Sequence, residues 1–178
     1  MTAVRGADVE VGTELPEQTF PVTRADLVRY AGASGDFNPI HWNQRVATSV
    51  GLPDVIAHGM LTMALAARVV TAWAGDPGAL VEYHVRFGRP VVVPDDDAGA
   101  EVTVRGRVGA LLEDGRVRVD LTVTSAGEKV LSLARAVVRL ATAPGASQRG
   151  SEPTAEATVT SSEERTGVRS QAAGQRLA

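Results

Sequence analysis

The 178-residue chain contains no cysteine. A disulfide scaffold, a zinc–thiolate centre and a cysteine nucleophile are therefore excluded together. Positive charge is not in excess: 18 Lys and Arg stand against 21 Asp and Glu, for a net charge of −3. A weakly acidic chain lacks the basic footprint that nucleic-acid binding needs. There is no GxGxxG and no GxxxxGK[ST] loop to cradle a phosphate, and neither Ser34 nor Ser49 sits in a GxSxG elbow. Long apolar runs are missing as well. The longest, Ala57 to Trp73, is interrupted by His58 and Arg68 and falls short of the roughly 20 residues of a comfortable membrane span. The opening MTAVRGADVEVG has no apolar run after a basic start, so a secretory signal is not expected. What is left is the expectation of a soluble, cytoplasmic protein that binds neither nucleic acid nor membrane.

The composition is otherwise ordinary, with 44% apolar and 22% charged residues, which suits one globular domain. It shifts near Ala143. The stretch 144–178 has no aromatic residue, and its only large aliphatics are Val159, Val168 and Leu177. Arg149, Arg165, Arg169 and Arg176 are balanced by Glu152, Glu156, Glu163 and Glu164. Such a segment cannot bury enough apolar area to offset its ordering entropy, so it reads as a disordered tail. The folded domain is then residues 1–143, which is enough for one modest core.

Within that domain, 17–22 reads as extended. Thr23 is a good N-cap for a short helix over 24–33, with Leu27, Val28, Tyr30 and Ala31 near one face. Gly35, Asn38 and Pro39 force a turn, and 43–50 reads as a second short helix. Residues 58–73 are apolar around nearly the whole circumference, and such a helix is expected to be buried on most sides. The pattern then changes to period two. Val102, Val104 and Val108 alternate with Thr103, Arg105 and Arg107, and Val117, Val119, Leu121 and Val123 with Arg116, Arg118, Asp120 and Thr122. These are half-buried antiparallel strands. Residues 82–87 and 129–140 also read as strands. In the latter, Ser132, Ala134 and Ala136 form a run of small side chains that would let a helix approach closely. One buried helix followed by four strands predicts an α+β fold, an antiparallel sheet wrapped around the central helix.

Three histidines are present: His41, His58 and His84. Asp36 and His41 stand five residues apart across the Asn38–Pro39 turn, so a carboxylate and an imidazole can converge there. An Asp/His pair is common equipment for general acid–base chemistry. Each residue also has a purely structural reading, Asp36 as a turn cap and His41 as a hydrogen-bonded, semi-buried ring. His58 and Gly59 open the central helix, where free N–H groups suit a developing oxyanion; Gly59 can equally serve only to avoid a clash. His84 lies on the polar face of a strand and reads as a surface residue. No two of Asp36, His41 and His58 are spaced i, i+4, so no metal site is expected.

The stretch YAGASGDFNPIH (residues 30–41) strongly resembles the signature of the MaoC-like, (R)-specific hydratase/dehydratase family, and IAHGMLTMALAARVV (56–70) resembles that family's central helix. More finely, LPEQTFPVTRADLVRYAG, NPIHWNQ, VGLPDVIAHGMLTM and AGDPGALVEYHVRF are similar to the catalytic B subunit of the mycobacterial-type (3R)-hydroxyacyl-ACP dehydratase. The likeness runs from about Val11 to Leu140. It implies a single hot-dog fold that pairs with a copy of itself or with a related hot-dog subunit. The implied reaction is reversible dehydration of a (3R)-3-hydroxyacyl thioester to a trans-2-enoyl thioester, without a cofactor. Asp36 and His41 match the family's catalytic pair and Asn38 a residue that shapes the site. Gly59, preceded by His58, matches the donor that holds the thioester carbonyl. Some relatives carry a serine two turns into the central helix, where this chain has Ala64 to Ala67. The carrier implied first is acyl carrier protein, in fatty-acid elongation. An (R)-specific enoyl-CoA hydratase and a non-catalytic, tunnel-forming subunit are the alternatives. Arg86 and Arg89 are candidates for contact with either carrier. A hot-dog thioesterase would need a carboxylate on the central helix, and Thr62, Met63 and Ala64 offer none.

Overall fold

The computed structural model describes Val4 and residues 6–141; the stretch 144–178 read as a tail lies outside them. Nine helices and strands make up the fold among the described residues: β1 (Glu14–Val22), α1 (Arg24–Ser34), α2 (Gln44–Ser49), α3 (Gly59–Ala74), β2 (Leu80–Phe87), β3 (Ala100–Leu111), β4 (Arg116–Ser125), β5 (Glu128–Lys129) and β6 (Leu131–Arg139). The strands form one antiparallel sheet in the order β1-β3-β4-β6-β2, with the short β5 beside β4. β1 carries Pro16 and Pro21. Proline cannot donate to a ladder and is confined to edges and bulges, and β1 is an edge strand with a register shift between Leu15 and Gln18.

Local signals set the helix ends. Thr23 and Asp26 form a capping box at the start of α1, and Gly35 closes it with φ +75°. Leu27 and Ala31 face the core, whereas Val28 of the expected apolar face is exposed. Arg24 reaches from the same corner to the carbonyl of Val93 at 2.7 Å and to Asp54 at 2.8 Å, which ties α1 to the segments that frame the site.

The central helix is buried on one side only. Thr62, Leu65, Ala66, Val69, Val70 and Ala74 pack onto the sheet. Met60, Ala64, Arg68 and Ala72 form an exposed stripe at i, i+4 spacing. The expectation of burial on most sides is corrected: a single sheet covers one face of a helix, and among the described residues no second layer covers the other. The small-residue run on β6 is also shorter than expected. Ala134 and Ala136 are buried beneath the helix layer, but Ser132 is exposed and donates to the carbonyl of Arg86 at 3.2 Å. A register shift between Arg86 and Phe87 in the β2–β6 ladder breaks the alternation there.

Two glycines test this account. Gly99 has φ +67°, and a Cβ on it would overlap the carbonyl of Val22, whereas helical Gly32 faces open space. Gly99→Ala is expected to cost on the order of 3 kcal/mol. Gly32→Ala is expected to gain up to about 1 kcal/mol. Urea denaturation of both variants reads the two signs.

Candidate active site

The chain from Gly35 to His41 is held by its own short side chains. Ser34 Oγ donates to the Tyr30 carbonyl at 2.7 Å and accepts from the Asp36 N–H at 3.2 Å. Asp36 Oδ1 accepts from the Asn38 N–H, and Asn38 Oδ1 accepts from the Ile40 N–H to cap a single 3₁₀ turn, Pro39–His41. The turn carries His41 inward, where it is 7% exposed.

The His41 ring is anchored at one end. Nδ1 lies 2.7 Å from the carbonyl of Ile56. A carbonyl only accepts, so Nδ1 bears the hydrogen and Nε2 carries the lone pair. Nε2 lies 4.0 Å from Asp36 Oδ2. That carboxylate is about half exposed, so the pair joins a buried imidazole to a wet acid. The two atoms are too far apart for a direct hydrogen bond, and one oxygen placed to the side of the pair can reach both.

His58 stands behind His41. Their rings stack with centroids 3.8 Å apart at 25°, and the Tyr30 ring lies tilted against His58 at 4.8 Å. His58 is 2% exposed. Its Nε2 lies 3.1 Å from the Asp36 carbonyl and therefore donates to it; its Nδ1 is buried without a hydrogen-bond partner. In this position His58 holds the Asp36 backbone and the plane of His41. Donor atoms of Asp36, His41 and His58 lie within 4.8 Å of one another. A shared cation would need their lone pairs to meet at one point in the plane of each ring. Stacked rings aim them along nearly parallel planes, so the trio suits proton transfer better than chelation.

Gly59 starts α3 beside this trio. Its N–H belongs to the first turn and has no acceptor within the helix. The ring of Phe87 packs so closely on Gly59 that a Cβ there would lie 3.0 Å from it. A cavity of about 190 Å³ brings together His41, Gly59, Thr62, Phe87, Arg89 and Leu131. Of the other predicted site residues, Asp36, Asn38 and His58 do not line it. His84 is exposed beside Glu82, as a surface residue would be. A larger cavity of about 610 Å³ lies between β1, α1 and α3 and includes Tyr30, Leu61 and Arg68, but none of the predicted site residues.

Thr62 was not among the predicted site residues. Its hydroxyl sits one turn below Gly59, buried in the wall of the site and 3.4 Å from the His58 carbonyl. The i, i+3 spacing from Gly59 was the available signal. From sequence, Phe87 is likewise only a strand residue.

Burial disfavours the imidazolium and lowers the pKa of His41 below its ordinary 6.5; the Ile56 carbonyl opposes this, nearby His58 adds to it, and Asp36 opposes it last. As pH falls, the unfolded chain therefore takes up this proton before the folded one does. The contribution of His41 to stability is complete above pH 6.5 and is lost as pH falls through the lower folded-state value. The wild type is expected to lose more stability than His41→Gln between pH 7 and pH 5 in urea titrations, and the His41 ring to titrate below 6.5 by NMR.

A sequence profile described as "MaoC like domain" matches residues 8–126. The chain is 39% identical over 98 residues to 3-hydroxyacyl-thioester dehydratase X of Mycobacterium tuberculosis, across 51% of this chain and 34% of that protein. It is 32% identical over 136 residues to 3-hydroxybutyryl-CoA dehydratase of Methylorubrum extorquens, across 75% and 82% of the two chains. A solved "MaoC-like dehydratase" superposes with TM-score 0.75 at 44% identity, over 78% of this chain and 43% of that one. The ChsH1–ChsH2 complex of M. tuberculosis superposes with TM-score 0.65 at 25% identity, over 74% and 98%. This chain thus spans only about a third of the length of the mycobacterial dehydratase. No described helix is long and apolar enough to cross a membrane. The hot-dog sheet, the Asp–Asn–Pro–His turn and the profile match agree: this chain belongs to the MaoC-like dehydratase family.

Proposed function

We propose that the chain catalyses reversible dehydration of (3R)-3-hydroxyacyl thioesters, with acyl-ACP in fatty-acid elongation as the first carrier and acyl-CoA as the alternative. One observation carries this reading: the Nε2 lone pair of His41, with its tautomer fixed by Ile56, faces the Asp36 carboxylate at 4.0 Å beside the open N–H of Gly59. The α-hydrogen of a thioester is weakly acidic, so its removal needs a base and a donor to the carbonyl oxygen together. In the dehydration direction the pair carries one proton between them. His41 Nε2 takes the proton from C2, the C2–C3 double bond forms, and the C3–O bond breaks. Asp36 supplies the proton with which hydroxide leaves as water. Transfer from His41 back to Asp36 restores the pair, and hydration is the reverse. Gly59 N–H holds the carbonyl oxygen as charge builds on it. His58 and Asn38 keep the two groups aligned. The chemistry is complete without a metal or organic cofactor.

The same reading brings a partner. Among the described residues, β2 leaves one edge unpaired, with Val81 and Phe87 exposed, and nothing covers the Met60 stripe of α3. A second hot-dog subunit, identical or related, fits both features. The proposed location is the cytoplasm, where acyl thioesters are handled. A non-catalytic tunnel subunit is the weaker reading, because such a subunit has no need of both Asp36 and His41.

Decay of the enoyl-thioester absorbance on addition of protein to crotonyl-CoA and to a long-chain trans-2-enoyl thioester tests the activity. Asp36→Asn and His41→Ala are each expected to lower turnover by at least about 100-fold. Full activity in both variants would end the mechanism.

A further inference from the structure

The site has a second chamber. Beyond the 190 Å³ cavity lies another of about 260 Å³, lined by Pro53, Arg89, Pro90, Val92, Ser125, Ala126 and Glu128. Arg89 and Pro90 line both cavities and form the partition between them. This partition is firmly held. The N–H groups of Gly88 and Arg89 donate to the Val130 carbonyl at 2.9 and 3.3 Å, and the Val91 carbonyl accepts from Ala57 at 2.8 Å. Apart from the His41 imidazole, Arg89 is the one ionisable side chain in the inner wall.

In the outer chamber Arg89 faces one counter-charge. Its Nε lies 3.2 Å from Glu128 Oε2, with side chains 67% and 62% exposed. Glu128 follows the Ala126–Gly127 turn between β4 and β5. Ala126, with φ +49°, is the only non-glycine residue at positive φ among the described residues. A left-handed alanine is strained by about 1–2 kcal/mol, so the turn that carries Glu128 to this spot is held against a local preference. An exposed ion pair of this kind contributes little and exchanges readily. A phosphate offers a guanidinium more charge and a better fork than a single carboxylate oxygen.

The geometry points to the outer chamber as an anion subsite, in which Arg89 leaves Glu128 to bind the phosphate of the pantetheine arm while the acyl end occupies the cavity of His41 and Gly59. This rests on the thioester reading above. That phosphate is common to CoA and to the prosthetic arm of acyl carrier protein. Glu128 then acts as a competing internal anion: it occupies Arg89 when the site is empty and discourages weaker anions.

Calorimetric titration of the full chain with 4′-phosphopantetheine and with unphosphorylated pantetheine tests the subsite without any turnover. The phosphorylated compound is expected to bind about tenfold more tightly. Arg89→Gln should bring the two within about twofold, and Glu128→Gln should widen the gap. Equal binding of both compounds by the wild type, or equal weakening of both by Arg89→Gln, would overturn the assignment. Binding without turnover of crotonyl-CoA would remove the hydratase reading and leave the subsite standing; turnover with no phosphate preference would do the opposite. In kinetics, Arg89→Gln should raise KM for crotonyl-CoA and for the crotonyl-loaded carrier protein alike. A rise for crotonyl-CoA alone would shift the contact to the nucleotide phosphates and refute the shared-phosphate assignment.

Discussion

The short extended segment Val55–Ala57 is the piece on which the site depends. It is hydrogen-bonded on both sides. Ile56 donates to the Ile40 carbonyl at 3.3 Å and accepts from His41 Nδ1 at 2.7 Å, while Ala57 donates to Val91 and Val55 accepts from Val93. Val55 is fully buried and Ala57 nearly so. One strand of three residues therefore sets the tautomer of His41 and the position of the Arg89 partition. It also fixes the starting point of α3 at Gly59. None of these could move alone without leaving a buried polar group unpaired.

This rigidity explains how an imidazole can be buried against another imidazole. His41 and His58 stack with each ring giving an N–H to a backbone carbonyl, and burial disfavours the charged form of His41. Two imidazolium ions at that distance would repel in a poorly solvated place. The neutral state leaves one lone pair toward Asp36, where the site meets water. Acid and base thus occupy different dielectric surroundings although only 4.0 Å apart, which is how two groups of one pair acquire different roles.

Much of the fold could be read from the sequence because its signals are local. The Thr23 N-cap, the Gly35 stop and the period-two valines of β3 and β4 concern residues within a few positions of one another. The convergence of Asp36 and His41 was legible for the same reason, since a five-residue turn holds both. What escaped depends on partners far along the chain. The stack of His58 on His41 joins residues 17 positions apart, by subtraction of their numbers. The approach of Phe87 to Gly59 and the reach of Arg24 to Val93 are longer still. The half-exposed helix was misjudged because hydropathy reports what a side chain prefers, not whether the chain supplies a second layer to satisfy it.

The two ends of the sheet are not equivalent. On β1, Pro16 and Pro21 remove backbone donors and the register shift bends the strand, so that edge is a poor template for another chain. On β2 there is no proline, and no described strand pairs with its outer edge. A sheet that is readily extended at one end only is a poor seed for growth by strand addition. Joined through β2, two such chains present only blocked edges to any third. In the pairing proposed above, the joined sheet would end at both sides in a proline-bearing β1 edge, and the asymmetry that admits one neighbour would also disfavour fibre growth by strand addition.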